Sequence, residues 1–294
     1  MAATMRKWLR YAAWLLPQGV HVLRHRMLSK AATPNLLPRN VLAANASLKN
    51  RHRGQRCFIV GNGPSVKQID LRRLHGETVL SVSNGYLHEG YVTMAPAYHC
   101  VPQITYGRMT EADVVSWFRE MDQGIGRAEL FLNETEAALV KKHGLFPGRK
   151  LHYLALRESF DELDDLKIID IAQPIPRVES VPIMALMIAM HLGFKEIIVI
   201  GVDHDSWRTG YYNYAFEPQS VGNKDVSVTS QGKILTPHFD TFQSLARLWR
   251  QYRRLAKIAS ANNIQIINAS PGGELDEFPR RTFESLTTQV TQST

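Results

Sequence analysis

The sequence predicts an α/β domain built on a mostly parallel sheet with helices on both faces. Short apolar runs of strand type alternate with helical patterns from Arg56 to Asn268. The run Glu196 to Ile200 (Glu-Ile-Ile-Val-Ile) has the continuous apolar character of a strand covered on both sides. Asn62, Asn84, Asp203 and Asn268 each fall at or just past the end of an expected strand, where open α/β sheets bind their ligands.

The elements follow in order. Strands are expected at 56–60, 78–83, 97–101, 129–133, 151–154, 196–200 and 264–268, and helices near 111–121, 134–143, 182–192 and 240–261. A further helix is read from Val66 to Leu74, behind the turn Gly61-Asn62-Gly63-Pro64-Ser65. Ser180 precedes Val181-Pro182 and an apolar run, as an N-cap does. Residues 204–236 are rich in Gly, Tyr, Asn, Ser and Lys without periodicity, so they read as a functional lid or a disordered loop.

Composition divides the chain unevenly. Residues 1–53 hold ten Lys or Arg and no acid, whereas the rest holds 25 Lys or Arg against 27 Asp or Glu; +10 and −2 make the overall +8. The basic segment also carries Trp8, Leu9, Trp14, Leu15, Leu16, Val20 and Leu23, with Pro17 dividing any helix. Such a basic amphipathic arm, residues 1–50, suits the surface of an anionic membrane. A docking helix on the domain and a transit peptide are the alternatives. The catalytic domain is then expected over 51–280 and a flexible tail over 281–294. Nucleic acid is disfavoured, because the body carries no basic excess and no binding motif. No run of about 18 apolar residues marks a membrane span. Cys57 and Cys100 sit in apolar runs without metal-ligand spacing and read as buried thiols of a reduced compartment.

The most specific stretch is Cys57-Phe58-Ile59-Val60-Gly61-Asn62-Gly63-Pro64-Ser65. Two glycines allow close backbone approach to a ligand, and a helix start behind them offers N–H groups to an anion. The stretch lacks the third glycine of the dinucleotide motif and the Gly-Lys-Ser/Thr ending of the P-loop. A tight β-to-α turn with no ligand is the bland reading.

Three segments together resemble the bacterial sialyltransferases that use CMP-activated sialic acid, which have a single Rossmann-like domain with a small lid. They are Ile59 to Ser65 with Lys67 and Ile69-Asp70; Arg177-Val178-Glu179-Ser180 through Gly201-Val202-Asp203; and Tyr214-Ala215-Phe216. The first two also resemble a wider group related to 6-hydroxymethylpterin diphosphokinase. The resemblance implies that Gly61, Asn62, Gly63 and Ser65 hold the ribose and phosphate. It implies that Asn84 contacts phosphate or donor sugar, and that Arg177 and Ser180 face the donor. Gly201 and Asp203 would border the cytidine, and Pro271 and Gly272 would close the base pocket. Tyr214 would donate to the departing phosphate, and His238 would act as general base. Glu179-Ser180 stands where that family has a threonine-serine pair, and Asp205 takes the place of its second lid tyrosine.

These readings imply a glycosyltransferase moving a sialic-acid-like (nonulosonic) sugar from a CMP donor to a glycan or lipid acceptor, with no metal. The expected location is cytoplasmic, peripheral on the inner face of a bacterial cell membrane. The alternative is a diphosphotransferase using ATP with Mg2+ on Asp203 and Asp205.

Overall fold

The computed structural model describes residues 39–104, 109–211, 214–216, 233–234 and 236–287. The basic arm before Arg39, most of the lid and the last seven residues of the chain lie outside the described residues.

The sheet has seven strands: β1 (Arg56–Val60), β2 (Val79–Val82), β3 (Tyr98–Val101), β4 (Glu129–Asn133), β5 (Leu151–Leu154), β8 (Glu196–Ile200) and β9 (Gln265–Asn268). Their order is β5-β4-β3-β2-β1-β8-β9. Every pairing is parallel, as crossover helices demand. Two short strands, β6 (Leu156–Glu158) and β7 (Ile175–Pro176), form a separate parallel pair that the sequence pattern did not reveal. The helices are α1 (Arg39–Ala43), α2 (Tyr91–Met94), α3 (Glu111–Gly124), α4 (Ala137–His143), α5 (Val181–Leu192), α6 (Ser206–Thr209), α7 (His238–Ala261) and α8 (Phe283–Thr287). The result is a Rossmann-like α/β core.

Successive strand residues feed opposite faces. Cys57, Ile59, Leu80, Val82, Ile197 and Val199 join one core with α5 and α7. Phe58, Val60, Val79, Ile198 and Ile200 join the other with α3, α4 and α8. In α5 every residue from Pro182 to Leu192 is buried, which explains why its pattern is apolar all round rather than striped.

Three expectations are modified. The helix read over Val66–Leu74 is instead two 3-10 turns, Pro64–Gln68 and Leu71–Leu74. Ile69 between them is extended (φ −117°, ψ 131°), and Asp70 caps the second turn by accepting from the Arg72 N–H. That extended residue breaks the helical path. Residues 281–287, expected in the flexible tail, include α8, whose Phe283 and Leu286 are buried against Phe58 and its neighbours.

The compact unit begins at Arg39, so residues 41–50, expected in the arm, pack on the domain. Asn45 Nδ2 donates to the carbonyls of Tyr153 (2.8 Å) and Ile171 (3.0 Å). The His52 ring stacks on Phe194 at 4.6 Å. His191 is buried and meets the Asn45 carbonyl through Nε2 at 3.2 Å. Cys57 and Cys100 are free and buried. Among the described residues no helix is long and apolar enough to cross a membrane.

Candidate functional site

The chain order reverses across the sheet between β1 and β8, and the crevice beyond such a switch point is where open α/β sheets take ligands. The turns after β1, β2, β8 and β9 meet there. The Gly61 N–H donates to the Ile200 carbonyl (2.7 Å) and the Gly63 N–H to the Gly201 carbonyl (2.8 Å). These bonds lock the β1 turn onto the β8 turn.

The turn glycines are required by the protein's own backbone. A Cβ at Gly61 would lie 2.4 Å from the Gly201 carbonyl oxygen, and one at Gly63 would lie 2.4 Å from Asp203 Oδ2. Gly201 has φ +65°, and a Cβ there would meet Val66 Cγ2 at 2.1 Å. Close approach is real, but the partner is the β8 turn.

The N–H expected to face an anion is also taken from within. Ser65 donates through its backbone N–H to Asp203 Oδ2 (2.8 Å) and through its hydroxyl to Oδ1 (2.5 Å). Asp203 is only 3% exposed. Burial lifts its carboxyl above the usual carboxylate range, against the two Ser65 hydrogen bonds, which pull it down. Asp205 occupies the N-cap position of α6 without a side-chain cap bond. A magnesium ion on Asp203 and Asp205 would have to compete with Ser65 for oxygens already accepting hydrogen bonds. No group of three or more His, Cys, Asp or Glu placed to hold a metal occurs among the described residues.

Asn62 is oriented by a residue the sequence did not mark. His88 Nε2 lies 3.0 Å from both the Gly61 carbonyl and Asn62 Oδ1, two acceptors that fix it as the N–H donor. Asn62 Nδ2 then donates to the Val82 carbonyl (3.2 Å). Burial pushes the His88 imidazole down to about 4, so it is neutral at pH 7. A His four residues beyond an Asn-Gly turn has no spacing that announces this contact.

The Tyr214-Ala215-Phe216 segment comes to the same turn. The Ala215 N–H donates to the Asn62 carbonyl (3.0 Å). The Tyr214 and Phe216 rings stack at 5.6 Å, and Phe216 lies 5.5 Å from the His88 ring. Behind the segment, Tyr211 and Lys233 form an antiparallel bridge that closes the base of the 204–236 insertion.

Asn268, the last residue of β9, and Ser270 beyond it are buried. Ser270 Oγ accepts from the Val202 N–H (3.2 Å), and the Glu274 N–H donates to the Asp203 carbonyl (2.6 Å). Arg280 clamps this loop through the carbonyls of Ser270, Gly272, Gly273 and Leu275. In this loop it is Gly273 that lies against the Asp203 backbone, while Gly272 faces Ser65 Cβ, where an added Cβ would lie at 3.6 Å, and Pro271 is exposed.

Other expected site residues stand further out. Arg177 is exposed, and its carbonyl accepts from Gln251 Nε2 (3.0 Å). Ser180 holds the N-cap position of α5, but its side chain makes no capping bond. His204 Nε2 meets the Tyr252 hydroxyl at 2.8 Å. Glu179 pairs with Arg247 (2.7 Å), which accounts for an acid at that position. His238 opens α7 in an exposed position, its ring 6.4 Å from Phe242, and no described contact joins it to Asn62 or Asp203.

No family model matches this chain, and no curated protein matches it. Solved structures that resemble it include the sialyltransferase CstII from Campylobacter jejuni in complex with a substrate analogue, cytidine-5'-monophosphate. That match has 18% identity over 78% of this chain and 85% of that one, with a TM-score of 0.44. Another is the sialyltransferase CST-II with trisaccharide acceptor and CMP, at 18% identity, covering 76% and 85%, TM-score 0.44. At these values no residue role passes from those enzymes to this chain.

Proposed function

We propose that this protein is a glycosyltransferase that takes a nonulosonic or related acidic sugar from a CMP-activated donor and passes it to a glycan or lipid hydroxyl. The observation that carries the reading is convergence. The Gly-Asn-Gly-Pro-Ser turn, Gly201–Asp203 and Tyr214-Ala215-Phe216, far apart in sequence, meet at one switch-point crevice through direct hydrogen bonds. These segments also carry the motif resemblance to CMP-dependent sialyltransferases.

In this reading the nucleotide lies across the ends of β1 and β8. The acceptor oxygen attacks the anomeric carbon, whose bond to the phosphate oxygen breaks, and CMP leaves with the bonding pair. His238 takes the acceptor proton, and the Tyr214 hydroxyl donates to the departing phosphate oxygen. A nucleoside monophosphate leaving group carries less charge than a diphosphate, so neutral donors suffice without a metal. The arm before Arg39 would hold the enzyme at an anionic membrane surface, on the cytoplasmic side.

Calorimetric titration with CMP, CDP, UDP and ATP, each with and without magnesium, tests the nucleotide. CMP binding independent of magnesium is expected; ATP binding only with magnesium would move Asp203 and Asp205 to the centre of a diphosphotransferase. With a CMP-sugar donor, His238→Ala is expected to lower turnover by about 10²–10⁴-fold at nearly unchanged CMP affinity. Turnover near wild type would remove His238 from the mechanism.

A further inference from the structure

Trp117 lies on α3, away from every motif singled out in the sequence. Its indole N–H donates to Asn84 Oδ1 at 2.6 Å, and both residues are buried. An indole nitrogen donates and never accepts. The Asn84 carboxamide therefore has one permitted orientation, with Oδ1 toward Trp117 and the –NH2 on the other edge.

That –NH2 has no acceptor among the described residues, although Asn84 is only 6% exposed. The fully enclosed side-chain atoms without a hydrogen bond among the described residues belong to Asp165 and Arg254, which pair with each other. Asn84 Nδ2 therefore reaches accessible space. A buried amide with unspent donors at a strand end calls for an acceptor from outside the fold.

The surroundings hold both partners still. Trp117, Glu120 and Gly124 share one face of α3. Glu120 accepts from the Tyr86 hydroxyl (3.1 Å), and a Cβ at Gly124 would sit 2.6 Å from the Tyr86 ring. This contact fixes α3 against the turn that carries Asn84. On the other side, Ser83 has φ +46° and its carbonyl accepts from His99 Nε2 (2.8 Å). The Ser83 N–H donates to the Cys100 carbonyl, and the Asn84 carbonyl accepts from Leu87.

We propose that Trp117 is a positioning residue that aims the Asn84 –NH2 at an anionic oxygen of the bound ligand, the phosphate of a nucleoside monophosphate. The inference rests on the reading that the crevice takes CMP. Without the indole the amide can turn its oxygen toward the ligand, replacing attraction by repulsion.

The test is calorimetric titration of CMP and cytidine into wild type, Trp117→Phe and Asn84→Asp, with melting temperatures recorded. Trp117→Phe keeps an aromatic ring and loses the donor; its CMP affinity should fall about three- to tenfold while cytidine affinity holds. Asn84→Asp keeps an acceptor for Trp117 and replaces the donor by a carboxylate, so CMP affinity should fall at least about tenfold, again sparing cytidine. This second variant carries the test if Trp117→Phe does not fold. Unchanged CMP affinity in either variant, or equal loss of CMP and cytidine, overturns the proposal while leaving the CMP reading in place. A wild type that binds neither ligand overturns both.

Discussion

At the scale of single residues, the site is organised by side chains that fix other side chains. Ser65 holds Asp203, His88 holds Asn62, and Trp117 holds Asn84. Gly63 shows how little room this leaves. Gly63→Ala would place a methyl 2.4 Å from Asp203 Oδ2 and 2.8 Å from the Gly201 carbonyl oxygen. The Ser65–Asp203 bonds must stretch or the β1 turn must leave the β8 turn. Overpacking of this kind costs about 1–3 kcal/mol, and urea denaturation of the variant should show a loss in that range. A neutral result would mean that the turn has slack the glycine does not need.

At the scale of elements, α5 is the clearest case of burial setting stability. Leu186 is 0% exposed among neighbours that are themselves buried. Leu186→Ala should cost about 2–5 kcal/mol by lost transfer energy plus the cavity left behind; denaturant unfolding reads it directly. The main strands and long helices were legible in the sequence because their apolar periods match their burial. Arg56–Val60, Glu129–Asn133, Leu151–Leu154 and Glu196–Ile200 begin and end where the pattern places them. The 3-10 turns after Gly63 were not legible, since the apolar spacing of Val66, Ile69 and Leu74 fits a helix equally well. The identities at the turns were legible as polar residues at strand ends. Their partners were not, because His88 and Trp117 reach the crevice from elements whose own patterns report only core packing. The same limit hid the inward use of Ser65: a sequence cannot say whether an N–H meets a ligand or an aspartate more than a hundred residues away.

At the scale of the whole molecule, buried imidazoles tie stability to pH. Burial pushes His88 down to about 4 and His99 down to about 3, the latter enclosed between Ser81 and the Ser83 carbonyl. Both folded values lie below the unfolded value. Their contribution is therefore fully present above about pH 6.5 and is lost as pH falls toward 4 and 3. Each imidazole costs up to about 1.4 kcal/mol per pH unit in that window, so these two contribute up to roughly 4 kcal/mol between pH 7 and pH 5, and His204, pushed down to about 4 by burial, adds to the same loss. Asp203 and Glu136 act oppositely. Burial raises both carboxyls, so their contribution is full below the usual carboxylate range and fades as pH rises through the raised values. These carboxyls offset part of the loss on acidification, and His99→Gln should flatten what remains. Denaturant titrations at pH 7 and pH 5 measure both; equal stability of the wild type at the two values would contradict the neutral-imidazole assignment.

The central position of β1 has a consequence for how the chain is made. One edge of β1 meets β2 within about twenty residues, but its other edge waits for Glu196–Ile200. During synthesis from the N-terminus, well over a hundred residues must emerge while an apolar strand keeps a row of unmated N–H and C=O groups. Its late partner is also the segment that brings Gly201 and Asp203 to the crevice. A nascent chain released before β8 would carry both an adhesive sheet edge and half a site, so this polypeptide is sensitive to interrupted translation.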